Sequence, residues 1–197
     1  LNVIVLSFSF VVIIFFKGML DGWDRQAKRD MIAWEMGGGQ YWHEAYDPYD
    51  PFTLNDSHAR LPAELKEQAE EGMVTPILII QGSAYPNGRM QNAVLKGIDP
   101  DQQILSLPTE FLKKSADAVP AIIGSSMSGS AKLDSGDYVT VRWRDVNGTF
   151  DATELVIAGV FKTNVPSVDA GQIWLPLERL REMTLLEDEA TIIVTSP

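Results

Sequence analysis

The segment with the most suggestive spacing for chemistry is Gly124–Ala131, GSSMSGSA, whose two glycines stand five apart. A phosphate-binding loop uses that spacing so that backbone N–H groups can cradle an anion. Such a loop also needs a Lys and a Ser or Thr directly after the second glycine, to reach the phosphates and Mg²⁺. Here Gly129 is followed by Ser130 and Ala131. The serine cluster also departs from a nucleophile elbow, because Ser128 stands where G-x-S-x-G requires glycine. The segment therefore reads as a small-residue turn opening a short helix. A second group, His43, Glu44, Asp47, Asp50 and His58, has oxygen and nitrogen donors that metals accept, but at spacings of no standard site. These read as solvated loop residues. With two histidines and no cysteine in the chain, a histidine-based triad, thiolate metal sites and disulfides have little or nothing to be built from. No catalytic, cofactor-binding or metal-ligating residue is assigned, and the chain is not expected to be an enzyme by itself.

The elements that would position these residues begin with an uncharged run, residues 1–16. As a helix it spans about 24 Å, slightly short of a hydrocarbon core of about 30 Å. Gly18, Met19 and Leu20 extend it past Lys17, whose amine can snorkel. A transmembrane helix over 1–20, truncated at its N-terminal end, is the expectation. A secretory signal would need a basic region ahead of the run and a small-residue cleavage site, and a strand would not be sixteen residues long. Lys17, Arg25, Lys28 and Arg29 follow the run and by charge alone would favour a cytoplasmic C-terminal flank. Met19, Trp23, Ala27, Met31 and Trp34 recur at helical spacing, so a stalk helix over 21–36 follows, ending at Gly37-Gly38-Gly39. Trp23 can mark the membrane interface or pack within the stalk.

Residues 37–197 read as α+β, with room for two lobes. Gln40–Tyr46 alternates like a strand, and Asp47–Pro51 is turn-forming. Pro62–Gly72 predicts a helix, Val74–Ile80 and Met90–Ile98 strands, and Pro108–Lys114 a short helix. Ala121–Gly124, Tyr138–Arg144 and Thr153–Phe161 read as strands, the last two joined by a tight Asn147-Gly148 turn. Gln172–Leu175 is a strand, Leu177–Met183 a short helix and Ala190–Thr195 the last strand. Ile157, Val160 and Phe161 are expected in the core. Gly97 is expected to allow close packing, and Gly136 to adopt positive φ. The 27 acidic against 16 basic side chains, a formal net charge of −11, oppose a nucleic-acid partner.

Several of these segments occur in an order that resembles a known family. They are Leu95–Pro100, Ile122-Ile123-Gly124, Gly136–Val141, Val156–Phe161, Asp169 and Gln172–Leu177, with Gly39–Trp42 in the place of a first strand. The order resembles the extracytoplasmic, MacB-like periplasmic core domain of FtsX-like ABC-transporter permeases. The lipoprotein-releasing type is nearest, and macrolide-exporter-like permeases come next. The resemblance implies a bacterial inner-membrane permease with this domain outside the cytoplasm. It implies a cytoplasmic ABC ATPase that binds the nucleotide, a second permease protomer and further membrane helices after Pro197. The function implied is lipoprotein release or export of a compound or peptide, with a periplasmic chaperone or adaptor as a further partner. The short Asp145–Thr149 connection departs from the long protruding hairpin by which one such type docks its chaperone. A single-span sensor or binding domain without a transport role is the competing expectation.

Overall fold

The computed structural model describes residues 2–113 and 118–197. Helix α1 (Asn2–Met31) continues into a π-helical turn, Ile32–Met36, so one helix of about 50 Å runs from the apolar segment to the first strand. No residue of α1 is buried. The described domain leaves its apolar side chains, from Val3 to Leu20, uncovered, and the helix is long and apolar enough to cross a membrane. Trp23 is exposed as well.

The remaining elements are β1 (Gly39–Trp42), a 3₁₀ turn (Pro51–Asp56), β2 (Ala59–Arg60), α2 (Ala63–Glu70), β3 (Val74–Tyr85) and β4 (Gln91–Ile98). A 3₁₀ turn (Thr109–Lys113), β5 (Val119–Gly124), α3 (Ser125–Ala131), β6 (Tyr138–Arg144) and β7 (Phe150–Phe161) follow. Then come α4 (Pro166–Asp169), β8 (Gln172–Pro176), α5 (Leu177–Thr184), β9 (Glu189–Ala190) and β10 (Ile192–Thr195). The class is α+β. Eight strands form one sheet in the order β1-β10-β3-β4-β8-β5-β7-β6, and β2 and β9 form a small ribbon.

The far half of β3 also pairs with β6, from Gly82↔Trp143 to Tyr85↔Thr140. This closes β3, β4, β8, β5, β7 and β6 into a six-stranded barrel. Strand periodicity explains its filling, because every second side chain points inward. Leu78, Ile80, Leu95, Ile123, Val139, Val141, Trp143, Leu155, Ile157, Ile173 and Leu175 form one buried cluster, with Leu177 and Leu180 of α5 and Met127 of α3 against it. Gly97 meets α5 closely: a Cβ there would lie 3.1 Å from Leu177 Cα. A second core lies outside the barrel wall, where Ile77, Ile98, Ile122, Phe161 and Trp174 are covered by Leu105, Leu107, Leu112 and Val168, with Trp34 packed against them.

The chain enters and leaves this domain at one place. β1 pairs antiparallel with β10, and Gly38 N–H donates to Thr195 O at 2.8 Å. A Cβ on Gly38 would lie 2.1 Å from Ser196 O, so a side chain at this crossing has no room. Gly37 turns the helix off at φ 57, a conformation that costs glycine little.

Several sequence expectations shift. The Gln40–Tyr46 strand stops at Trp42, because its partner β10 begins at Ile192 and Tyr46 N–H turns back to His43 O. The Ala190–Thr195 strand is broken at Thr191, which bridges the two sheets: its N–H donates to Ile77 O and its Oγ1 accepts from Ile79 N–H. Val160 is 37 % exposed whereas Phe161 is buried, since neighbours on a strand face opposite sides. The Pro108–Lys114 helix is the 3₁₀ turn Thr109–Lys113, and Lys114 lies outside the described residues. The Asn147-Gly148 connection is a tight turn, with Asp145 N–H on Thr149 O at 2.9 Å and Gly148 at φ 80. Gly136 has φ 98.

Candidate functional site

The candidate site is the junction between the end of the long helix and the outer barrel wall. Three stretches converge on it: β7 and the α4 region on one side, the loop before the 3₁₀ turn on another, and β4 with β8 beneath. Trp34 stacks on Phe161, ring centroids 5.7 Å apart and planes at 15°. Ala33 O accepts from Ser106 N–H at 2.7 Å. Glu35 Oε2 accepts from Ser167 Oγ at 2.8 Å, and Asp30 Oδ2 from Asn164 Nδ2 at 3.2 Å. Gln40 Nε2 donates to Glu35 O at 2.7 Å, tying the helix end to β1. The helix is thus pinned by an aromatic stack and hydrogen bonds from both flanking segments. It is docked on the domain, not merely tethered to it.

Beneath the stack the wall carries a buried charge. Lys96 is 7 % exposed and sits opposite Trp174 in the parallel β4–β8 ladder. Its Nζ lies 4.9 Å from the Trp174 ring centroid. Burial pushes the amine down from 10.5 to about 8, and the Glu35 carboxylate works in the opposite direction. No carboxylate of the described residues lies within ion-pair distance of Lys96. Trp174 Nε1 and Gln172 Oε1, on the same face of β8, are buried without a hydrogen-bond partner among the described residues. Removing a charge and two polar atoms from water is costly unless partners replace the water. The junction therefore holds an electrostatic cost that Glu35, carried by the helix, partly relieves.

The Gly124–Ala131 segment folds as a turn into α3, and its would-be anion cradle is occupied from within. The Asp169 carboxylate accepts from Ser125 N–H at 2.8 Å and Ser126 N–H at 3.0 Å, and from both serine hydroxyls. Burial pushes the Asp169 carboxyl up, but the bonds from Ser126 and Ser125 outweigh it and hold the group below the ordinary value. A Cβ on Gly124 would lie 2.4 Å from Asp169 O, so only glycine allows these two segments to meet. Gly124 and Asp169, distant in sequence, are one packing feature.

The five candidate metal ligands are dispersed. His43 Nδ1 accepts from Ala45 N–H, Asp47 caps Tyr49 N–H, and Asp50 caps Phe52 N–H. His58 pairs instead with Glu189 of the β2–β9 ribbon. Among the described residues no three His, Cys, Asp or Glu side chains cluster as metal ligands do.

No family model and no curated protein matches the chain. Among solved structures, the extracellular domain of the noncanonic ABC-type transporter YknZ from Gram-positive bacteria is similar. It shares 14% identity over 80% of this chain and 81% of that one, at a TM-score of 0.43. A domain of a protein described as a permease, from Porphyromonas gingivalis, is 14% identical over 64% of this chain and 55% of its own, at a TM-score of 0.37.

In the sequence Trp34 lies on the stalk's apolar stripe and Phe161 in the core, but nothing local connects them, and Lys96 stands out only as part of Leu95–Pro100. The available signal is a lone lysine in the expected strand Met90–Ile98, at the same parity as Val94 and Ile98. A charge at such a position needs a partner from another element.

Proposed function

We propose that this chain is the first membrane helix and extracytoplasmic domain of an FtsX-like ABC-transporter permease in the bacterial inner membrane. A cytoplasmic ATPase and a second permease protomer are its partners, and α1 carries motion from the membrane to the barrel. The observation that carries this reading is the unbroken helix Asn2–Met36, exposed along its apolar half and docked through Trp34, Ala33 and Glu35 at its other end. A helix that is stiff and fastened at its end transmits displacement, whereas a kinked one absorbs it. The shared place where the chain enters and leaves the domain is the geometry needed by a domain set between two membrane helices. The ordered family-like segments support the same reading: Gly124 and Asp169 meet, and Gly97 packs on α5.

In this reading the chain itself does not turn over ATP, because the P-loop-like segment lacks the Lys that reaches the phosphates and Asp169 takes its N–H groups. Cargo is a lipoprotein or an exported compound or peptide. A chaperone hook is not assigned to the tight Asp145–Thr149 turn. The test is Lys28→Gly with Arg29→Gly in the full permease. At about 1 kcal/mol of helix propensity per glycine, the stalk should bend while the domain stays folded. Transport should fall and ATP hydrolysis by the assembled complex should persist. Undiminished transport by the glycine stalk would remove the lever from the mechanism. A reporter fused after Thr195 that is active only in the cytoplasm would reverse the topology.

A further inference from the structure

The barrel wall also carries a groove of about 590 Å³ where β3, β4 and β6 meet, walled by Asn55, Met90, Phe150 and Gly171. Arg142 and Arg144 line it, two apart on β6 and both exposed. Each is held by the domain's own groups. The Arg142 guanidinium stacks on Phe150, its Cζ 4.3 Å from the ring centroid. Arg144 Nε donates to Gly148 O at 3.0 Å. Among the described residues, neither lies within ion-pair distance of a carboxylate. In the β6–β7 ladder the acidic residue on their face is Glu154, opposite Thr140 and one same-face pair beyond Arg142↔Ala152, and Asp56 and Asp145 line the neighbouring cavity with Arg144 without pairing to it.

We propose that this groove receives an extended acidic segment of a partner protein, its alternate carboxylates pairing with Arg142 and Arg144 and an apolar side chain covering Phe150 and Met90. The groove itself fixes the occupant's chemistry. First, residues two apart on a strand repeat at about 7 Å on one face, and alternate side chains of an extended peptide repeat at the same distance. Second, a guanidinium offers donors in a planar fork that a carboxylate accepts in pairs. Because stacking and the Gly148 bond already orient these arginines, less freedom is lost on binding. Third, β6 is hydrogen-bonded to β7 on one side and β3 on the other, so recognition here is by side chains and not by strand addition. Fourth, Phe150 and Met90 are 62 % and 66 % exposed at the groove's walls, which suits an apolar side chain beside the carboxylates. A membrane surface fits less well. With the bilayer boundary at Trp23, as the proposed function would have it, the helix to Met36 holds the domain about 20 Å from the interface, beyond the reach of a headgroup.

The test uses the full chain in uncharged detergent micelles at about 0.15 M salt, where screening confines the protein's net negative charge to about 8 Å. The probe is a fluorescein-labelled decapeptide of alternating Glu and Leu, followed by anisotropy, with the Lys-Leu decapeptide as control. Saturable binding of the acidic peptide alone is expected. It should weaken about tenfold or more in Arg142→Gln with Arg144→Gln. Arg142→Lys with Arg144→Lys should fall between, because charge remains and the fork is lost. Thermal melting confirms that each variant is folded. Equal affinity in wild type and the Gln variant, equal binding of the Lys-Leu peptide, or no saturation by millimolar peptide each overturns the proposal. So does displacement of the acidic peptide when phosphatidylglycerol is mixed into the micelles and held by the same arginines, which would assign the groove to lipid.

Discussion

The outer wall of one barrel carries positive charge in two ways. Around Lys96 the wall is roofed by the helix end, the loop before the Thr109–Lys113 turn and the α4 region, and the ammonium is buried over Trp174 with a counter-charge, Glu35, on another element. Around Arg142 and Arg144 the wall is open, and both guanidiniums are exposed and anchored locally. The strands are built alike, since β4 and β6 both alternate inward apolar residues with outward ones. What differs is what covers them. A roofed charge loads the structure and couples it to its cover. An open charge costs the fold little and is available to an outside partner.

Removing the roof's anchor should have the largest effect. Phe161→Ala deletes a buried ring from the second core and from beneath Trp34, and should cost about 3–5 kcal/mol in denaturant unfolding. A loss below about 1 kcal/mol would mean that the helix end rests on the wall without being held by it.

The next test sharpens the electrostatic half. Unfolded Lys96 titrates near 10.5 and folded Lys96 near about 8. Between those values the unfolded chain binds more protons, so stability should rise with pH through that window, by about 3 kcal/mol at most. Below about pH 8 both states are charged and the full burial cost is felt. Lys96→Met keeps the side-chain length without the charge. At pH 7 it should gain about 1–3 kcal/mol, and Lys96's share of the rise between pH 8 and 10.5 should vanish. A less stable Met variant, or an unchanged slope, would show that the ammonium is welcome where it sits.

The smallest effect belongs to the open wall. Arg142→Gln should change stability by no more than about 0.5 kcal/mol, measured by thermal melting. A larger loss would make Arg142 a structural residue through its stack on Phe150 and erase the contrast.

Much of this wall could be read in advance. Tyr138–Arg144 alternates in type, and the structure buries Val139, Val141 and Trp143 while exposing the residues between them. Alternation is a local property and survives folding. The closing pair of β3 and β6 could not be read, because Gln81–Tyr85 looks like the fading end of an apolar run, and its partner lies about sixty residues away. Pairing across such a distance is set by the whole sheet, not by the segment. Val160 misled for a related reason: it is apolar, but it shares a strand with Phe161 and so takes the opposite side. At the candidate site Trp34 and Phe161 were each legible as packing residues. The burial of Lys96 was not, since it depends on a roof that the strand's own residues do not describe.

The pairing of β1 with β10 bears on how the protein can be handled. A folded unit whose first and last strands run side by side asks its host for only a narrow gap between two attachment points. Such a unit behaves as a cassette. Spliced into a surface loop of an unrelated carrier, it should add little closure entropy, provided the glycines at 37 and 38 travel with it, because the crossing at Ser196 leaves no room for a side chain.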